Sequence, residues 1–121
     1  MESGMRILIV DDNRAAADAL AKLLTLRGHT VKTAYSGESA IREAPLFQPK
    51  AIILDIGLPD IEGYDVARAI RTDESVKASL IALTGYGQES DLRKAEKAGF
   101  SHHLVKPAGL KEIEAVLAEI A

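Results

Sequence analysis

A chain of 121 residues, with a formal net charge of -3, 47% hydrophobic and 27% charged residues, has the length of one domain and the composition of an ordinary globular protein, which excludes the disordered class. The acidic balance removes the Lys and Arg excess that drives affinity for phosphate backbones, so no nucleic-acid partner is expected. The absence of cysteine excludes disulfides and fits a reducing, cytoplasmic location. No apolar run approaches the roughly 20 residues of a membrane span, so no membrane contact by this chain is expected. Met1 to Gly4 read as a short polar lead, native or added, ahead of one domain over 5–121.

Met5 to Val10 is a short apolar, β-branched run that stops at Asp11-Asp12, the pattern of a buried central strand. From Asn13, the spacing of Ala16, Leu20, Leu23 and Leu24 predicts a helix that Gly28 ends. Val31 to Ala34 predicts a short strand, and Ser36 caps a second helix whose exit is bracketed by Pro45 and Pro49. Ala51 to Leu54 is apolar on both faces up to Asp55, as in a strand covered by helices on both sides. After the loop marked by Gly57 and Pro59, Ile61, Tyr64, Val66, Ala67 and Ile70 outline a third helix. Leu80 to Leu83 forms another apolar strand ending at Thr84, before the loop Gly85-Tyr86-Gly87. A polar helix from about Gln88 to Ala98 stops at Gly99, Leu104-Val105 leads into Lys106-Pro107, and Leu110, Ile113, Val116, Leu117 and Ile120 recur at helical spacing. About five strands alternating with about five helices imply right-handed crossovers and a doubly wound α/β sheet.

Four polar signals each follow one of the apolar runs: Asp11 with Asp12, Asp55, Thr84 and Lys106. In a parallel sheet the carboxyl ends of the strands open on one edge, where ligands bind. Singly, each residue has a plainer role: an acid capping a helix, an acid leading into a turn, a strand end, a solvated lysine. Those roles do not predict an acid, hydroxyl or amine after four strands out of five. Asp11, Asp12 and Asp55 suit Mg²⁺, a hard cation commonly held by carboxylates and a substrate phosphate. Asp55, a single acid after a buried strand, is the candidate nucleophile toward phosphorus, and Lys106 and Thr84 suit the charge on a transferred phosphoryl group.

These residues, in the runs Ile9-Val10-Asp11-Asp12-Asn13, Leu54-Asp55-Ile56-Gly57-Leu58-Pro59-Asp60-Ile61-Glu62-Gly63, Ala82-Leu83-Thr84-Gly85 and Leu104-Val105-Lys106-Pro107, resemble the receiver domain of two-component response regulators over essentially the whole chain. The resemblance implies a flavodoxin-like five-stranded parallel sheet of order 2-1-3-4-5 with five helices. It implies that Asp55 accepts a phosphoryl group from a phosphohistidine on a partner histidine kinase or histidine phosphotransfer protein, catalysing its own phosphorylation and dephosphorylation. Asp12, Asp55 and the Gly57 backbone carbonyl would ligate Mg²⁺, with Asp11 acting mostly through water. Lys106 would pair with the phosphoryl group, Thr84 would turn toward it as a switch, and the Lys106-Pro107 bond would be cis. The surface of helix 4, strand 5 and helix 5 would carry the readout.

The second switch position of the family, commonly Tyr or Phe, is His103 here, which points to pH-dependent signalling because an unperturbed imidazole titrates near about 6.5. Adjacent strand residues face opposite sides, so one of His102 and His103 is expected exposed and the other packed. Gly57 and Tyr86 flank the site, and Tyr86 is expected to slow loss of the phosphoryl group. The Gly-containing loop at 84–89 and the His pair are similar to receivers of hybrid sensor histidine kinases, and a single-domain regulator fits equally. A Mg²⁺-dependent phosphatase of the haloacid dehalogenase type shares the residue set, but its nucleophile follows the first strand in an acid-x-acid pattern that Asp11-Asp12-Asn13 does not match. A phosphorylation-silent binding module is the other alternative.

Overall fold

Every strand is followed by a helix, so each return to the sheet is a crossover and the strands run parallel. The computed structural model describes residues 4–85 and 92–120. In chain order the elements are β1 (Arg6–Val10), α1 (Arg14–Leu26), β2 (Thr30–Ala34), α2 (Gly37–Phe47), β3 (Ala51–Asp55), α3 (Gly63–Thr72), β4 (Ser79–Thr84), α4 (Leu92–Ala98), β5 (Phe100–Val105) and α5 (Leu110–Ile120). They form one five-stranded sheet of order β2-β1-β3-β4-β5, the doubly wound, flavodoxin-like arrangement expected from the sequence.

The pleat sorts each strand's side chains into two cores. Leu8, Val10, Ile52, Leu54, Leu80 and Ala82 pack against α2, α3 and α4. Ile7, Ile9, Ile53, Ile81 and Leu83 pack against Ala17 and Leu24 of α1 and Ile113 and Leu117 of α5. β1 and β3 are apolar on both sides because both sides are covered; in β3 every residue from Ala51 to Asp55 is buried.

The caps explain the helix starts. The Asn13 side chain accepts from the Ala16 N–H at 3.0 Å and Ser36 Oγ from the Ser39 N–H at 3.1 Å. Gly109 gives α5 only a weak cap itself, but Glu112 Oε1 reaches back to the Gly109 N–H at 2.8 Å, half of a capping box. Gly28, at φ 95°, takes the left-handed conformation just beyond α1.

The expected exit of α2 holds, and two other expectations need correction. α2 ends at Phe47, between Pro45 and Pro49 as expected, with Pro45 inside its last turn. A proline in the last turn costs one backbone hydrogen bond, and Gln48 closes the end, its N–H on the Ala44 carbonyl at 2.9 Å and its side-chain amide on the Pro45 carbonyl at 2.8 Å. β5 begins at Phe100, well before Leu104, with a register irregularity opposite Leu80 and Ile81. Neither His102 nor His103 is fully packed or exposed; both are half-buried, because β5 is an edge strand. The expected start of the fourth helix, at about Gln88, lies outside the described residues.

Candidate functional site

Pairing of Val10 with Leu54 and of Asp55 with Leu83 aligns the carboxyl ends of β1, β3 and β4. Residues at those ends therefore meet on one edge. Asp11, Asp12 and Asp55 offer carboxylate oxygens that lie within 4.8 Å of one another. Asp11 and Asp55 are each only 4% exposed, whereas Asp12 faces solvent. Asn13 caps α1, so neither acid is used as the helix cap. Asp11 instead accepts the Asn13 N–H on Oδ1 at 3.0 Å, a turn that holds its carboxylate at the edge.

Asp55 is held through both oxygens. Oδ1 accepts the Gly57 N–H at 3.0 Å and Oδ2 accepts the Lys106 ammonium at 2.9 Å. The same ammonium stands 3.4 Å from Asp11 Oδ2, so Lys106 bridges two buried acids. Its backbone N–H donates to the Thr84 carbonyl at 2.6 Å, and the Lys106–Pro107 peptide bond is cis. Burial opposes charge on Lys106, but its bonds to Asp55 and Asp11 outweigh that and raise its pKa. Asp11 is pushed up by burial and by the neighbouring Asp55, against the lowering effect of the Asn13 N–H and Lys106.

Thr84 is 2% exposed. Its Oγ1 lies 3.1 Å from His103 Nε2 and 3.5 Å from the Leu104 carbonyl oxygen. The fold thus gathers Asp11, Asp12, Asp55 and Lys106 into one cluster and directs the Thr84 hydroxyl to His103. His102 is turned to the other face of β5, its Nε2 3.1 Å from Glu119 Oε1 on α5. The Gly57 backbone joins the cluster through its N–H, and Tyr86 lies outside the described residues.

Sequence reasoning missed three supports of this edge. Gly63 lets α3 close onto the loop after Asp55: a Cβ there would stand 2.6 Å from Ile56 Cα and 3.0 Å from the Asp55 carbonyl oxygen. Asp60 holds the start of α2, accepting the Gly37 N–H at 3.0 Å and the Glu38 N–H at 3.1 Å. These bonds, the one from Gly37 foremost, lower its pKa. Tyr35 anchors α1, its hydroxyl donating to Asp18 at 2.5 Å while the Arg14 guanidinium lies 4.4 Å from its ring centre. Only the glycine in the run after Asp55 left a readable signal.

The donor set fits a divalent cation. Among the described residues, three clustered carboxylates face one ammonium, an excess of negative charge in a half-desolvated pocket that hard oxygen ligands and a +2 ion would relieve.

A parallel sheet of this order, with an acid cluster and a lysine on its carboxyl edge, defines a receiver-type α/β domain. The family model of the response regulator receiver domain matches residues 7–118, and the chain belongs to that family of two-component systems. It is similar to the transcriptional regulatory protein KdpE of Mycobacterium tuberculosis, with 38% identity over 111 residues, 92% of this chain and 48% of that protein. The chain therefore spans about half the length of the curated relatives it matches. Among solved structures it resembles a CheY-like response regulator receiver domain protein from Methanospirillum hungatei, at TM-score 0.83 and 28% identity, over 98% of this chain and 97% of that one. A CheY-like receiver domain from Methylobacillus flagellatus superposes at TM-score 0.89 with 27% identity, over 98% of this chain and 100% of that one.

Proposed function

We propose that the chain is a phosphorylation-dependent signalling switch whose phosphoacceptor is Asp55. The observation that carries this reading is the holding of one nearly buried carboxylate, 4% exposed, between a backbone N–H and the Lys106 ammonium. Receiver domains are phosphorylated by histidine kinases, so the donor is a phosphohistidine on a histidine kinase or phosphotransfer protein. An Asp55 oxygen attacks phosphorus, the P–N bond breaks, and its electron pair returns to the imidazole nitrogen. Lys106, already on Asp55 Oδ2, passes to a phosphoryl oxygen, and the Thr84 hydroxyl turns to another. Asp12, Asp55 and the Gly57 carbonyl would hold Mg²⁺, with Asp11 in support. When bound, the ion neutralises charge on the acids and the transferred oxygens.

A groove of about 300 Å³ beside the site, lined in part by Ala16, Leu20, Leu23, Pro107 and Leu110, offers the partner an apolar docking face next to Asp55. Arg14 and Asp18 are tied to Tyr35, so charge reversal there disturbs the anchoring of α1 as well as any docking. Phosphorylation then biases the surface of α4, β5 and α5. No described helix is long and apolar enough to cross a membrane, and we place the switch in the cytoplasm.

Intact mass after incubation with phosphoramidate tests the reading. The expected result is a gain of one phosphoryl group that requires both Mg²⁺ and Asp55 and is absent from Asp55→Ala. Steady phosphate release from small phosphomonoesters would establish a haloacid dehalogenase-type phosphatase instead. No adduct and no phosphate release would leave a phosphorylation-silent binding module.

A further inference from the structure

We infer that His103 is a positioning residue for Thr84, and that its protonation decides whether the Thr84 hydrogen is available to a phosphoryl group on Asp55. The inference deepens the phosphoacceptor reading and rests on it. The observation behind it is the 3.1 Å approach of Thr84 Oγ1 to His103 Nε2, on a hydroxyl that is 2% exposed. Thr84 lies one residue beyond Leu83, the register partner of Asp55.

A hydroxyl has one hydrogen to give and two lone pairs to receive with, whereas an imidazole nitrogen gives or receives according to its protonation. A neutral His103 protonated on Nδ1 receives the Thr84 hydrogen at Nε2. That hydrogen is then committed to β5. An imidazolium gives a hydrogen from Nε2 to Oγ1, and Thr84 must place its own elsewhere. The Leu104 carbonyl, at 3.5 Å, is at the outer limit of a hydrogen bond, while a phosphoryl oxygen is a strong acceptor. Phosphorylation of Asp55 and protonation of His103 therefore favour each other, because linkage is reciprocal.

The described charged groups around the ring are few. Glu96 on α4 lines the same hollow as His103, together with Ala95, Phe100, Ser101 and His102. The Nε2 of His102 is engaged with Glu119 of α5, and Lys106 with Asp55 and Asp11. Glu96 is present in both states, so it leaves the linkage in place. An imidazole is the side chain whose ordinary titration falls between about pH 5 and pH 8.

The test is a pH titration of the histidine ring nitrogens by NMR, on the whole chain with and without phosphoramidate and Mg²⁺. The unphosphorylated chain is expected to show neutral His103 with its hydrogen on Nδ1. Phosphorylation should raise its titration midpoint by roughly half a pH unit or more, about a threefold gain in proton affinity. The charge of the phosphoryl group alone would also raise the midpoint, so the deciding variant is Thr84→Val, which should lose at least half of the rise. Thr84→Ser keeps the hydroxyl and should retain it. An Nε2–H tautomer in the unphosphorylated chain, or an equal rise in Thr84→Val and wild type, would overturn the inference. If intact mass shows no phosphoryl gain on the wild type, the phosphoacceptor reading itself fails and the inference falls with it.

Discussion

The carboxyl ends of β3 and β5 lie two strands apart and are built in opposite ways. β3 is buried at every residue, and its Asp55 has both carboxylate oxygens engaged. The loop beyond it is pinned by the Ile56 N–H on the Leu83 carbonyl at 3.0 Å and the Gly63 N–H on the Ile56 carbonyl at 3.0 Å. β5 is an edge strand, half-exposed and irregular in register, and carries the polar pair that faces Thr84 and Glu119. A nucleophile gains from fixed geometry, since phosphoryl transfer is mostly positioning. A responsive group needs a second partner to turn to, and an edge strand leaves room for one.

The largest effect should come from hollowing the centre. Ile53 is fully buried, and Ile53→Ala is expected to cost about 2–5 kcal/mol in urea unfolding, through lost transfer energy and the cavity left behind. Next is Gly63→Ala, whose methyl would meet the Ile56 backbone at 2.6 Å. Such overpacking costs about 1–3 kcal/mol, and because the strain falls beside Asp55 it should also slow phosphoryl uptake at saturating Mg²⁺.

Asp11 gives a smaller, pH-dependent effect. Burial raises its pKa above 3.8 in the fold, so the folded chain holds this proton more tightly than the unfolded chain does. Its contribution to stability is greatest below pH 3.8 and is lost as the pH rises through the raised folded value. Metal-free Asp11→Asn should therefore melt above wild type at pH 7, the gap closing as the pH falls, and should gain less from added Mg²⁺. A variant that melts lower at pH 7 would mean that the Lys106 contact outweighs the burial. The smallest effect belongs to the edge. Val105 is 48% exposed, and Val105→Ala should stay within about 0.5 kcal/mol; a cost near that of Ile53→Ala would erase the contrast between centre and edge.

The same contrast set what was legible in the sequence. Central strands read clearly because burial on both faces demands unbroken apolar runs such as Ala51 to Leu54. The first residues of β5 did not, because an edge strand tolerates Ser101, His102 and His103. Asp11, Asp12, Asp55 and Lys106 were legible as a site because parallel topology turns the ends of strands into neighbours. Pro45 and Pro49 marked the exit of α2 because a missing N–H is a local fact, while the Gln48 bonds that close the helix at Phe47 belong to the folded chain. The holding of α2 by Asp60 spans 23 residues to Gly37, and the close approach at Gly63 is a property of packing. The first leaves no local pattern, and the second leaves only the glycine itself. The partnership of Thr84 with His103 needed the register of β4 against β5.

The account turns on which of three neighbouring carboxylates takes the phosphoryl group. The most direct measurement is borohydride reduction of the phosphorylated chain followed by peptide mass mapping, since reduction converts an acyl phosphate of aspartate to homoserine. The account predicts homoserine at Asp55 alone, dependent on Mg²⁺. Homoserine at Asp11 or Asp12 with Asp55 intact would contradict it.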